Sequence, residues 1–156
     1  MEFRFSASGA GMSEENIILP YWHLWADEEG LSHTSQRYLS HFDLIQYSNP
    51  TPEYHCCDLP KPLSTRFVVL PPGYEAPMHS TPKPQWVIIL QGGWYTRTLD
   101  GNEVFYRAGD IHFGGDLPVE DKSENQQGHS CRNTSQTEPL AAMIIQVDNV
   151  LPKPKD

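Results

Sequence analysis

The sequence has few cysteines, few positive charges and no long apolar run. Its three cysteines, Cys56, Cys57 and Cys131, cannot form an even disulfide framework or a CxxC zinc site. Eleven Lys and Arg against twenty Asp and Glu give a net charge of −9, which is unfavourable for binding nucleic acid or an anionic membrane. No apolar run could span a bilayer, and the first residues lack the apolar core of a secretory signal. We therefore expect a cytoplasmic protein with no nucleic-acid or membrane partner.

Patterns that predict long helices are also missing, while turn residues are abundant. The chain contains 14 Pro and 11 Gly, and nine of the prolines lie within residues 50–84. This segment cannot be helical, because proline interrupts helices. Elsewhere, short alternating apolar runs are separated by turn signals, such as Asp100-Gly101 after residues 94–99. The sequence predicts an all-β barrel or sandwich built from short strands.

The length of 156 residues favours one domain. We expect this domain to span residues 16–149. A flexible arm at 1–15 precedes it in this interpretation, and an irregular tail at 150–156 follows it.

Two segments carry glycines and polar residues at distinctive spacings. The first segment is 73–92, and the second is 109–133, with a predicted inserted loop at 116–127. The marked residues of the first are Gly73, His79, Thr81, Gln85 and Gly92, and those of the second are Gly109, Asp110, His129 and Asn133.

Both segments resemble the two motifs of the cupin superfamily of RmlC-like jelly rolls. The resemblance implies a small single-domain cupin, an antiparallel jelly-roll barrel whose ligand site lies inside. It also implies a homodimer and a small-molecule substrate or ligand. In the family's first motif the positions of Thr81 and Gln85 are His and Glu, so the metal-ligand set is degenerate here.

The resemblance implies that His79, Gln85 and His129 hold a divalent iron, manganese, nickel or zinc ion. His112 is the substitute for the missing histidine if its side chain faces inward. Threonine and glutamine are weaker ligands than histidine and glutamate. We therefore leave a bound metal and a metal-free site as equal alternatives.

Other residues are candidates for the cavity wall or the chemistry. Trp94, Tyr106, Thr81 and His112 are expected to line the cavity, and an inward Arg97 would select an anionic substrate. For three other residues, a functional role and a purely structural role both stay open. Cys131 next to His129 is a candidate nucleophile or an ordinary free thiol, and Asp116 and Glu120 offer carboxylates to the barrel mouth or belong to a solvated loop.

Two facing histidines near their ordinary pKa of about 6.5 can exchange protons with a substrate. We expect an enzyme for a small, partly apolar organic molecule, with lyase, isomerase or cyclase chemistry. His79 and His129, together with Gln85, are the expected catalytic residues, acting as metal ligands or as an acid/base pair. The alternatives are a metal-dependent dioxygenase and a non-catalytic protein that binds or senses a metabolite.

Overall fold

The computed structural model describes residues 17–155, so the predicted arm at 1–15 lies outside the described residues. Twelve strands and one short 3₁₀ turn at Glu124–Gln126 make up its regular structure. The strands are β1 Leu19–Ala26, β2 Ser32–Leu39, β3 Asp43–Ile45, β4 Glu53–His55, β5 Pro62–Leu70, β6 Glu75–His79, β7 Gln85–Gln91, β8 Gly93–Thr98, β9 Glu103–Arg107, β10 Ile111–Gly115, β11 His129–Asn133 and β12 Leu140–Val147.

Strands β5 to β12 form two facing sheets. One sheet has the order β10-β7-β12-β5 and is extended beyond β10 by β1 and β2, while the other has the order β6-β11-β8-β9. Eight strands divided between two sheets, with neighbours far apart in sequence, form a jelly roll. The predicted all-β jelly-roll fold is confirmed.

One strand pair departs from the antiparallel expectation. Strand β1 pairs with β10 in parallel, with Trp22 opposite His112. The β1–β2 hairpin thereby hydrogen-bonds to the open edge of β10, which would otherwise expose unpaired backbone groups.

Side-chain alternation separates the interior of the barrel from its outer face. On β7, Val87 and Ile89 belong to the inner apolar cluster together with Trp94. Trp86 points the opposite way and packs against Phe113, with ring centroids 4.8 Å apart. This alternation follows from the two-residue period of a strand, and it decides which residues reach the cavity.

Two glycines with positive φ serve different purposes. Gly101 has φ 87° and lies in the β8–β9 turn, where the Asp100-Gly101 pair predicted a hairpin. Gly128 has φ 80°, and a Cβ there would collide with the backbone carbonyl of His79. Glycine at position 128 therefore lets the chain entering β11 pass directly against β6.

The part of the chain that the structure describes contains no helix long and apolar enough to cross a membrane.

Candidate functional site

A cavity of about 180 Å³ lies between the two sheets. Much of its wall is apolar, with Val87, Ile89 and Leu140 among its residues. Across residues 17–155, no Asp, Glu, Lys or Arg side chain lines it. The predicted site residues that do line it are His79, Thr81, Gln85, Trp94, His112 and His129.

His79 and His129 form a pair of tilted, adjacent rings in the cavity wall. They are opposite each other on β6 and β11, and their ring centroids are 4.6 Å apart. His79 Nδ1 lies 2.7 Å from the Pro77 carbonyl oxygen, and His129 Nδ1 lies 3.0 Å from Asp116 Oδ2. Since both acceptors lack a proton, each ring donates from Nδ1, and Nε2 is the nitrogen that remains for chemistry.

Asp116 orients His129 from a fully buried position. Its Oδ1 accepts a hydrogen bond from Thr81 Oγ1 at 2.5 Å, and its Oδ2 accepts one from Ser32 Oγ at 2.9 Å. Burial raises the pKa of this carboxyl, but hydrogen bonds from His129, Thr81 and Ser32 and the charge of His129 outweigh it. The pKa of Asp116 therefore lies below its ordinary value, and the group stays ionised.

His112 is a neutral imidazole inside the barrel. Burial, reinforced by the neighbouring His129, lowers the pKa of His112 to about 3. Its Nδ1 lies 2.9 Å from the Tyr106 hydroxyl oxygen. The prediction left the direction of this side chain open, and the structure places it in the cavity wall.

Two residues predicted to line the cavity do not do so. Tyr106 is 1% exposed and packs behind Trp94, with ring centroids 5.0 Å apart. Arg97 lies on the outer face of β8, where its Nε is 3.8 Å from Glu103 Oε1. The prediction for Arg97 is wrong because strand alternation turns Thr96 and Thr98 inward and position 97 outward.

Burial distinguishes between the alternative roles of Asp116, Glu120 and Cys131. Asp116 is buried behind the histidine pair rather than at the barrel mouth, whereas Glu120 is exposed. Burial raises the pKa of the Cys131 thiol, partly offset by the Trp94 N–H, so the thiol is not activated as a nucleophile. Ser32 was not predicted from the sequence, because it lies 84 residues from Asp116.

The donor set does not fit a tightly held divalent metal ion. Among the described residues, no three His, Cys, Asp or Glu side chains are grouped as metal ligands. His79 and His129 supply two imidazoles, but both oxygens of Asp116 already accept hydrogen bonds. Gln85 and Thr81 carry no charge that would compensate for the missing carboxylate.

Comparisons with known proteins identify structures but no sequence relatives. No protein-family model matches the chain, and no curated protein matches it significantly. The cupin domain of Schizosaccharomyces pombe Cnp3 matches with a TM-score of 0.40 and 13% identity, over 84% of each chain. A cupin-2 domain protein of Shewanella frigidimarina has a TM-score of 0.35 and 14% identity, over 60% of this chain and 84% of that one. A Drosophila melanogaster CENP-C domain has a TM-score of 0.36 and 16% identity, over 93% and 86%.

Scores of this size carry no conclusion, so the fold rests on the geometry of the chain itself. The first motif-like segment, 73–92, contains β6 and β7, and the second, 109–133, contains β10 and β11. Their histidines meet inside the eight-stranded jelly roll. The chain has an all-β jelly-roll fold. The barrel brings His79 and His129 together in its cavity wall, with Asp116 hydrogen-bonded to His129.

Proposed function

We propose that the protein is an enzyme that moves a proton on a small, uncharged organic substrate in a lyase, isomerase or cyclase reaction. The observation that supports this function is the histidine pair in the cavity wall. Hydrogen bonds hold both Nδ1 atoms, so both Nε2 atoms are available at neighbouring positions. Paired imidazoles allow one ring to accept a proton while the other donates one.

In this mechanism His79 is the acid and His129 is the base. Its Nε2 takes a proton from the substrate, and Asp116 stabilises the imidazolium that forms at Nδ1. His79 donates a proton from Nε2 to a second substrate atom, so the substrate gains as many protons as it loses. With ring centroids 4.6 Å apart, the two rings can then restore their protonation states by exchanging a proton, directly or through water.

Gln85 is the proposed positioning group for the substrate. Its Oε1 lies 3.5 Å from Gln146 Nε2, which orients the amide. The Gln85 side chain lines the cavity and offers an amide N–H to a substrate oxygen. The described part of the wall has no Asp, Glu, Lys or Arg side chain that could pair with a charged substrate. This favours an uncharged molecule.

The test is a screen of small neutral carbonyl and hydroxyl compounds in D₂O, with deuterium uptake and product formation followed by mass spectrometry. We expect at least one compound to be converted by the wild-type protein. The rate should fall by about 10² or more in His129→Gln, since general acid–base groups contribute factors of this size. Conversion that survives both His79→Gln and His129→Gln would contradict the proposal.

Metal dependence and subunit number remain predictions with their own measurements. Metal analysis of the freshly purified protein tests the divalent ion. Conversion that is lost on chelation and restored by one metal would assign the histidines as ligands instead. Light scattering tests the homodimer.

A further inference from the structure

His112 in the cavity wall is hydrogen-bonded to Tyr106 behind it. The Tyr106 hydroxyl oxygen lies 2.9 Å from His112 Nδ1. Among the described residues, this hydroxyl has one other side-chain partner, Thr96 Oγ1, at 3.5 Å. A buried hydroxyl needs an acceptor for its proton, and a contact of 3.5 Å is at the weak limit of hydrogen bonding. The Tyr106 O–H therefore donates to His112 Nδ1.

This hydrogen bond decides which nitrogen of His112 carries the ring proton. A neutral imidazole has one N–H donor and one acceptor nitrogen. Since Nδ1 accepts from Tyr106, the proton of His112 lies on Nε2. The arrangement is opposite to that of His79 and His129, whose Nδ1 atoms donate to oxygen acceptors. The third ring thus offers a hydrogen-bond donor at Nε2, not a base.

The donor faces the part of the cavity that holds the histidine pair. His112 lines the cavity, and its one hydrogen bond in the described part of the chain is at Nδ1. Gly114 follows on the same face of β10, and a Cβ there would lie 3.5 Å from His112 Nε2 and 2.8 Å from Thr81 Oγ1. Thr81 is hydrogen-bonded to Asp116, which also binds His129. The Nε2–H is therefore on the side of the proposed base.

A donor at this position acts on charge that develops during proton transfer. When a base removes a proton from the carbon beside a carbonyl group, the electron pair of the C–H bond moves toward the carbonyl oxygen. A fixed N–H donor near that oxygen binds it more strongly in the transition state than in the ground state. A neutral imidazole can serve as this donor. The third ring therefore favours a substrate that has a carbonyl group.

We propose that His112 is a third catalytic residue, whose Nε2–H binds the carbonyl oxygen of the substrate, and that Tyr106 is the positioning residue that keeps the proton on Nε2. The substrate class is then a neutral aldehyde or ketone with a C–H bond beside the carbonyl. His129 breaks this C–H bond, His112 holds the enolate oxygen without giving up its proton, and His79 supplies the proton for the new bond. This inference rests on the proposed function for its acid and base, and it adds the donor and the carbonyl requirement.

The position of the ring proton is measured without a substrate. Long-range proton–nitrogen NMR of the full chain at neutral pH reports which nitrogen of each imidazole is protonated, and the His112 signals are those absent from His112→Leu. We expect a protonated Nε2 and an unprotonated Nδ1 in the wild-type protein. Tyr106→Phe should give a mixture of the two tautomers, whereas Tyr95→Phe, which removes a hydroxyl bonded to Glu103, should leave the His112 signals unchanged. A proton on Nδ1 of the wild-type protein would overturn the inference.

The catalytic role is measured on compounds converted in the D₂O screen. We expect these to be carbonyl compounds that exchange the C–H bond beside the carbonyl. His112→Leu should lower kcat about 10²-fold, the effect of removing one oxyanion donor, with little change in KM, and His112→Gln should recover part of this loss because its amide N–H can donate. Conversion of hydroxyl compounds alone, or an unchanged kcat in His112→Leu, would overturn the inference. A screen without conversion would contradict the proposed function together with this role, whereas a proton on Nδ1 would contradict the role of His112 and leave the acid/base pair intact.

Discussion

At the scale of single residues, the site depends on one buried carboxylate. Asp116 accepts hydrogen bonds from Ser32, Thr81 and His129, which belong to three separate segments of the chain. Its negative charge is tolerated because these donors replace the water that burial removes. The orientation of His129 is therefore tied to the local stability of the barrel.

Asp116→Asn tests this dependence. The amide has one acceptor oxygen, so its NH₂ group faces donors and leaves at least one of them unpaired. We expect the free energy of unfolding to fall by about 1–3 kcal/mol, and conversion of a confirmed substrate to fall with it. Urea unfolding measures the stability change, with Asp121→Asn on the exposed part of the same loop as the control.

The two variants distinguish a specific role from a general charge effect. If Asp116→Asn were as stable and active as Asp121→Asn, the carboxylate would have no orienting role.

At the scale of elements, the meeting of β6 and β11 brings the two histidines together. Their register places His79 opposite His129, and the ladder shifts between His129 and Cys131. Gly128 permits this approach because it has no Cβ to meet the His79 carbonyl. The glycine thus acts on the site through backbone spacing, without contributing a side chain.

Gly128→Ala should separate the two strands. The new methyl group needs both a strained positive φ and the space occupied by the His79 backbone. We expect the clash to cost about 3 kcal/mol in addition to a φ penalty of about 1 kcal/mol. Chemical denaturation measures this loss, and histidine side-chain NMR reports the contact between the His79 and His129 rings.

Gly101→Ala is the matched control. It has a similar φ of 87° but open space around its Cβ position, so it should show the φ penalty alone. Equal losses in the two variants would contradict the proposed packing role of Gly128.

At the scale of the whole molecule, three histidines have opposite effects on the stability of the folded protein in acid. Burial, with a smaller effect of Arg37, lowers the pKa of His23 to about 4, and that of His112 is about 3. For His33, burial opposes protonation, but hydrogen bonds to Asp27 and Asp100, each 2.8 Å long, raise its pKa overall. The first two histidines bind protons more readily in the unfolded chain, and the third binds them more readily in the folded chain.

The buried His23 and His112 should dominate the change in stability as the pH falls. Stability from a lowered histidine pKa is present above the unfolded value of about 6.5 and is lost toward the folded value, by roughly 1.4 kcal/mol per pH unit for each group. His33 is partly exposed and contributes in the opposite direction, but exposed pairs contribute only about 0–1 kcal/mol. We expect the melting temperature to fall steadily between pH 6.5 and about pH 4.

His23→Gln isolates one of these contributions. It should flatten the fall in melting temperature over this pH range, whereas His41→Gln on the exposed surface should not. A melting temperature that rises on acidification would show that the His33 contribution exceeds that of the buried histidines.

Several features of the fold and the site followed from local sequence. Proline density, alternating runs and the Asp100-Gly101 turn predicted an all-β protein, because these signals act over a few residues. The resemblance of the two segments to the cupin motifs implied that His79, Gln85 and His129 belong to one site. The orientation of Arg97 was missed because a one-residue error in strand register reverses the direction of every side chain.

The sequence by itself determined the strand-rich architecture and the main candidate residues, since both depend on short-range patterns. Only the tertiary structure decided how the site is held together. Asp116 is hydrogen-bonded to Ser32, 84 residues away, and His129 lies opposite His79 on the neighbouring strand. Both facts depend on contacts between segments that are distant along the chain, which three-dimensional packing decides.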